Sequence, residues 1–344
     1  MLNFGNSLIS SGAFGTVHKN TYYDASSDTM TKVAVKCVPL PKTQYNRSYI
    51  VDIYSEVTAL EILSNDNNHS SNNNRSINNS NNFVEILDFG VSQTAGYCIV
   101  MKCYSKTLKQ WRLKMKKEEE KKEVKMKTDV AKQQQIINKR KLLEKCLNYF
   151  ETIVLSIYDM HKKGICHYDL KCDNILLNDD STIIKIVDFG EAHVRPGWHG
   201  QNMYSTMDRG TECIKSPEML TVCHADNKES DQYDRRRKVG TNAQSDIWSL
   251  GCLLYEMLVG EYLFQDEDWT RFYCRLTGRG EQLLPDNARL ELLKFGSYGR
   301  ELLEFLQTSM LVRNPSRRIS SKELLRHIRK FRKKLMKEGI KDGY

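Results

Sequence analysis

Over residues 2 to 38, apolar and β-branched positions recur in short alternating runs, clearest in TKVAVKCV at 31 to 38. That pattern predicts strands, with Gly12 and Gly15 marking a turn between two of them. A helical period follows near 48 to 63, where Leu60 and Leu63 fall four and seven positions after Glu56 and so share its face. Strand-like runs return in NFVEILDFG and GYCIVMKCY, between residues 82 and 104, and from about Leu142 to Met160 the apolar spacing becomes helical. The chain then stays mostly helical to its end. A small strand-rich part before a larger helical part is an α+β outline, and no internal repeat is evident.

Two stretches break the pattern. Residues 64 to 82 contain 10 Asn and 5 Ser, too few apolar groups to order a segment, and predict an insert. Residues 102 to 145 hold 16 Lys and Arg against 6 Asp and Glu; the mixed run KMKKEEEKKEVKMK within them reads as a solvated helix or a loose insert. A second basic block, with 12 Lys and Arg against 3 Asp and Glu at 313 to 342, predicts a terminal helix with a solvated face.

Composition narrows the class. The chain has 344 residues, 40% of them apolar and 28% charged, enough for one large domain or two lobes. The net charge of +9 lies in the two basic blocks rather than in the rest of the chain, which weighs against a nucleic-acid binder. No apolar run has the roughly 18 residues of a membrane span, and MLNFGNSLIS lacks the basic start and apolar stretch of a signal peptide. A cytoplasmic location is expected, with the nucleus as the other choice. The ten cysteines are scattered without a CxxC pair, so reduced thiols are expected.

The chemistry begins at ISSGAFGTV, residues 9 to 17, a glycine turn where missing side chains let backbone amides approach a phosphate. Ser10 stands where the pattern GxGxxG has its first glycine. In VAVK, Lys36 sits inside an apolar strand, where a buried ammonium needs an anion; otherwise it snorkels from a strand edge. Glu56 is placed to pair with Lys36, and Glu61 is its rival.

Further motifs follow in fixed order: HYDLKCDN at 167 to 174, DFG at 188 to 190 after TIIKIV, SPE at 216 to 218, and SDIWSLG at 245 to 251. With the glycine turn and VAVK, this series resembles the eukaryotic protein kinases, of serine/threonine type because DLKxxN carries Lys171. An earlier DFG at 88 to 90 precedes the catalytic loop and reads as strand end and turn. The resemblance covers essentially the whole chain, interrupted by the Asn-rich insert at 64 to 82, the charged insert at about 112 to 140 and an extra loop at about 222 to 240.

The resemblance implies a bilobal fold, with a small β-rich lobe over 1 to 101 that carries one main helix and a larger, mostly helical lobe over 102 to 344. It implies ATP and Mg²⁺ as cofactors and a protein substrate with a Ser or Thr acceptor. Asp169 would orient the substrate hydroxyl and take its proton, and Lys171 would neutralise the transferred phosphate. Asn174 and Asp188 would ligate Mg²⁺. Lys36, aimed by Glu56, would grip the α and β phosphates beneath the turn at Ser10, Gly12 and Gly15. Adenine would lie among Val17, Ala34 and Leu176, its edge on the backbone of Lys102 to Tyr104, with Met101 as gatekeeper.

Other residues take scaffold roles by the same resemblance. His167 is expected to pack in the core, Asp246 to anchor the catalytic-loop backbone, Glu218 to pair with Arg318, and Thr211 to contact the catalytic residues. Cys166, Cys172 and Cys213 are expected to be inert. Tyr168 departs from the family's common arginine, which helps to bind a phosphate on the activation segment. A neutral phenol cannot do so, and activity is therefore expected not to depend on phosphorylation of Ser205 or Thr206 read at this position. The acidic QDEDW at 265 to 269 either favours basic substrates or is a solvated loop. The alternative function is a pseudokinase scaffold, invited by Ser10 and Tyr168 and opposed by the retained Lys36, Asp169, Asn174 and Asp188.

Overall fold

Alternation in the first part of the chain produces an antiparallel sheet of β1 (Leu8–Gly12), β2 (Gly15–Asp24), β3 (Thr29–Val38), β4 (Ile86–Ser92) and β5 (Gly96–Lys102). The strands lie in the order β1-β2-β3-β5-β4. In β3, Val33, Val35 and Cys37 fall on one face and pack with Cys98 and Val100 of β5, as the two-residue period requires. A computed structural model describes residues 8–12, 15–24, 28–40, 47–64, 82–123, 129–197, 205, 209–225, 240–278 and 282–341. The interior of the Asn-rich insert, most of the 222 to 240 loop and Thr206 therefore lie outside the described residues.

Contacts divide the chain into two compact units, one of residues 1–106 with 176–194, the other of 107–175 with 195–344. The first thus reaches beyond the expected limit at residue 101 and takes in the stretch from Leu176 to Val194. Backbone bonds explain this: Val84 N–H donates to Ile186 O at 3.0 Å and Ile186 N–H to Asn82 O at 2.7 Å. The main helix of this unit, α1 (Arg47–Ser64), buries Ile53, Glu56, Val57, Leu60 and Leu63 along one stripe. The early DFG sits inside β4, not at a strand end, because its neighbours pair continuously with β5 from Asp88 to Ser92.

The second unit is helical. The charged insert is not loose among its described residues: α2 (Leu108–Glu123) and α3 (Asp129–Lys162) run through it, with only 124–128 undescribed. Burial of Leu108, Trp111 and Arg112 anchors α2, and the Arg112 Nη2 donates to Leu258 O at 2.8 Å. Next come α4 (Pro217–Ala225) and α5 (Ala243–Val259), then α6 (Trp269–Thr277), α7 (Asp286–Leu293), α8 (Gly296–Phe305) and α9 (Ser321–Lys341). An Asn242 side chain caps the start of α5, which is buried almost throughout, and Gly260 at φ 85° closes its end. In α9 the apolar stripe Leu324, Ile328, Phe331 and Leu335 is buried against α3, while the basic residues face outward as expected.

Candidate active site

The first group of site residues belongs to the sheet-bearing unit. Lys36 lies mid-strand in β3, opposite Val17 of β2 and Ile99 of β5. Its Nζ donates to Glu56 Oε1 and Oε2 at 2.9 and 2.8 Å and to Asp188 Oδ1 at 2.7 Å. Glu61 is exposed, so the sequence rivalry resolves in favour of Glu56. Burial alone would lower the Lys36 pKa, but the charges of Glu56 and Asp188 outweigh it and hold the ammonium protonated. The lysine is therefore a buried, paired cation and not a snorkelling one.

Asp188 follows the short strand Ile184–Ile186 and takes φ 64°, a left-handed conformation that Asp tolerates better than most residues. Its side chain remains 38% exposed, so a charged ligand can reach it. Phe189 is buried behind it, with its ring 6.1 Å from that of Phe83.

Ser10 and Gly12 lie on the exposed β1, where Gly12 pairs with Gly15 across the turn. Gly15 must be glycine: at φ 138° a Cβ would meet the Cys37 carbonyl oxygen at 2.0 Å. At Gly12 nothing lies within 4 Å of where a Cβ would be, so the backbone there is open to approach. Ala34 pairs with Met101 in the sheet, and Leu176 lies in the short strand Ile175–Leu177. At the end of β5, Lys102 N–H donates to Glu85 O, and just beyond it Cys103 N–H donates to Lys32 O, at 3.1 and 3.3 Å. Among the described residues the Tyr104 N–H has no partner, which singles out that amide in the stretch named from the sequence.

The second group belongs to the helical unit. Asp169 is buried, and three neighbours hold its carboxylate: Thr211 N–H donates to Oδ1 at 3.0 Å, while Lys171 Nζ and Asn174 Nδ2 donate to Oδ2, each at 2.8 Å. Asn174 Nδ2 also donates to the Asp169 carbonyl at 2.8 Å. Both acceptors fix the amide nitrogen on that side, so the amide oxygen is turned away and has no partner among the described residues. An oriented, unused amide oxygen is the kind of donor a hard cation takes, and so, in the sheet-bearing unit, is the half-exposed Asp188 carboxylate. Lys171 Nζ donates again to Thr211 Oγ1 at 2.5 Å. The Asp169 carboxylate and the Lys171 side chain are thus both tied to one threonine.

Beneath the loop, Asp246 of α5 accepts the backbone N–H groups of His167 and Tyr168 at 2.9 and 2.8 Å and contacts His161 Nε2 at 2.8 Å. His167 is fully buried, and its Nδ1 accepts the Asp169 N–H at 3.3 Å, which makes it a backbone support. Arg318 grips Glu218 through two bonds of 2.6 Å. Burial pushes the thiols of Cys166 and Cys172 well up, and burial with the charge of Glu212 raises Cys213, so all three are poor nucleophiles.

Several supporting residues had no signal in the sequence. Glu256 accepts the Cys172 N–H at 3.0 Å, and Lys109 Nζ donates to Asp173 Oδ2 and Tyr262 Oη at 2.8 and 2.9 Å. The QDEDW run is in part a helix cap: Asp268 Oδ1 accepts the Arg271 N–H at 3.0 Å, and Asp266 is paired with the Arg271 guanidinium.

The chain matches the protein kinase domain over residues 5–328, and it belongs to that family. Over 336 residues it is 33% identical to a probable serine/threonine-protein kinase of Dictyostelium discoideum, an alignment covering 92% of this chain and 12% of that protein. It is 26% identical over 321 residues to the human serine/threonine-protein kinase ULK3, covering 93% of this chain and 52% of that one. With the serine/threonine-protein kinase nekl-2 of Caenorhabditis elegans it shares 35% identity over 141 residues, 41% of this chain and 34% of that one. The chain therefore spans about half or less of the length of these relatives. A sheet-bearing unit with one main helix and a larger helical unit make up the α+β protein-kinase fold.

Proposed function

We propose that this chain is a serine/threonine protein kinase that transfers the γ-phosphate of ATP, as its Mg²⁺ complex, to Ser or Thr hydroxyls of a protein. The observation that carries the reading is the buried Asp169 carboxylate, held on Thr211, Lys171 and Asn174. Such a group can orient an alcohol and take its proton as the phosphoryl group leaves. Lys171 would balance charge on that phosphoryl group, and Lys36, kept charged by Glu56, would hold the α and β phosphates. Asn174 and Asp188 would hold Mg²⁺, which supplies charge neutralisation at the phosphates when bound.

Val17, Ala34 and Leu176 would flank the adenine, Met101 would limit its depth, and the Tyr104 amide would meet its edge. The serine/threonine class is supported by Lys171 in DLKxxN and by the names of the relatives. Retention of Lys36, Asp169, Asn174 and Asp188 argues against a scaffold that binds without transfer. No described helix is long and apolar enough to cross a membrane. The test is transfer of labelled phosphate from Mg·ATP to a mixed protein substrate, with phosphoamino-acid analysis of the product. Phosphoserine and phosphothreonine are expected, and phosphotyrosine as the main product would overturn the substrate class.

A further inference from the structure

Tyr168 precedes Asp169 and is fully buried in a cluster with Cys166, Met219 and Ala243. Its backbone takes φ 64°, a strained value for a bulky residue that persists only where surroundings over-determine it. Two bonds do so: the N–H donates to Asp246 Oδ1 at 2.8 Å, and the phenol donates to Thr241 O at 2.9 Å. Thr241 in turn forms an isolated antiparallel bridge with Ser205, its N–H and carbonyl both bonded at 2.9 Å, and its Oγ1 donates to Ser205 O at 3.2 Å. Ser205 and Thr241 are both buried.

The same tyrosine meets this stretch of chain at a second point. At Gly210, φ 84°, a Cβ would lie 2.4 Å from the Tyr168 carbonyl oxygen, so the backbone there rests against residue 168. The next residue, Thr211, donates its N–H to Asp169 and accepts from Lys171. Tyr168 therefore reaches Ser205 through Thr241 and, through its own carbonyl, meets Gly210, one residue before the Thr211 contact with Asp169.

We propose that the Tyr168 hydroxyl is a positioning group: anchored on Thr241, it fixes the residue 168 backbone against which Gly210 rests, and so keeps Thr211 on the Asp169 carboxylate. The proposal rests on the kinase reading above and adds to it how the acceptor-side geometry is held. A neutral donor meets a neutral carbonyl, so this joint needs no added phosphate to close. Burial pushes the phenol pKa well up, so the donor keeps its proton across the working pH range. Removing the hydroxyl leaves Thr241 O still bonded to the Ser205 N–H, which makes Tyr168→Phe a mild probe that retains the ring.

The experiment compares Tyr168→Phe with the unaltered full chain. The expected result is a fall in kcat of between about threefold and about tenfold with KM for ATP unchanged, the effect of losing the phenol's bond to Thr241 together with its contact to the Cys166 thiol. Amide exchange at Ser205 and Thr211 should quicken while α5 keeps its protection. Gly240→Ala strains the bridge from the other side, since at φ 137° its Cβ would lie 2.7 Å from Ser205 O. It should reproduce the kcat loss, and the double variant should be no worse than either single one. Unaltered kcat and exchange in Tyr168→Phe would overturn the proposal, as would an equal loss of protection across α5, which marks general destabilisation. If the unaltered chain transfers no phosphate, exchange at Ser205 and Thr211 still reads this joint, so the two failures are told apart.

Discussion

Lys36 and Glu56 meet in a buried pair of two hydrogen bonds, 2.8 and 2.9 Å, between a central strand and the one main helix of the sheet-bearing unit. The pair has Asp188 as a third member, so the lysine charge is shared between a buried and a partly exposed carboxylate. Lys36→Met should lower kcat by about 10²-fold or more, the scale of removing a preorganised charge from a reacting phosphate. Steady-state kinetics at saturating ATP checks this. A loss confined to KM would mean that Lys36 only binds.

Glu218 and Arg318 form a two-bond pair in which the arginine side chain is fully buried. Glu218→Ala leaves that guanidinium without its anion and should cost about 3–5 kcal/mol of stability, read by denaturant unfolding. Burial raises the Glu218 carboxyl, but Arg318 outweighs it, and the folded pKa lies below the ordinary 4.5. A depressed folded pKa adds stability that is present above the unfolded value and lost as pH falls through the folded one. The native chain should therefore lose stability below about pH 4.5, and Glu218→Gln should flatten that acid limb.

Asn174 leaves its amide oxygen unengaged because both hydrogens of its amide are spent on Asp169. Asn174→Ala removes the oxygen proposed for Mg²⁺ and one support of the Asp169 carboxylate together. The Mg²⁺ concentration for half-maximal activity should rise by about tenfold or more, and a titration with Mg²⁺ at fixed ATP measures it.

Ser205 is buried and bonded through its backbone to Thr241, whose carbonyl also accepts the Tyr168 phenol. The double variant Ser205→Ala, Thr206→Ala should keep activity within about threefold of the unaltered chain. A loss of two orders of magnitude would show that phosphorylation at these positions controls the enzyme.

Much of this arrangement was legible in the sequence because it rests on periodicity and local order. The period of two placed Lys36 in a strand, and the helical face shared by Glu56, Leu60 and Leu63 made Glu56 a candidate to meet it, with Glu61 as a rival that only the fold excludes. Two features were hidden. Charge in the block from 102 to 145 masked Leu108, Trp111 and Arg112, whose burial turns that segment into ordered helix. The bond from Tyr168 to Thr241 spans 73 residues and ends on a backbone carbonyl, an acceptor that every residue carries, so no residue type announces it. The Cys172 N–H on Glu256 is hidden because its backbone end is a donor nearly every residue carries, and the boundary that brings residues 176–194 into the first unit rests on backbone bonds of the same anonymous kind.

The central claim is that Asp169 carries the chemistry of phosphoryl transfer, and Asp169→Asn tests it most directly because the shape is kept while the base is lost. Labelled phosphate transfer from Mg·ATP should fall by between about 10²-fold and about 10⁴-fold, with ATP affinity little changed. Transfer to Ser and Thr at the unaltered rate in this variant would contradict the account.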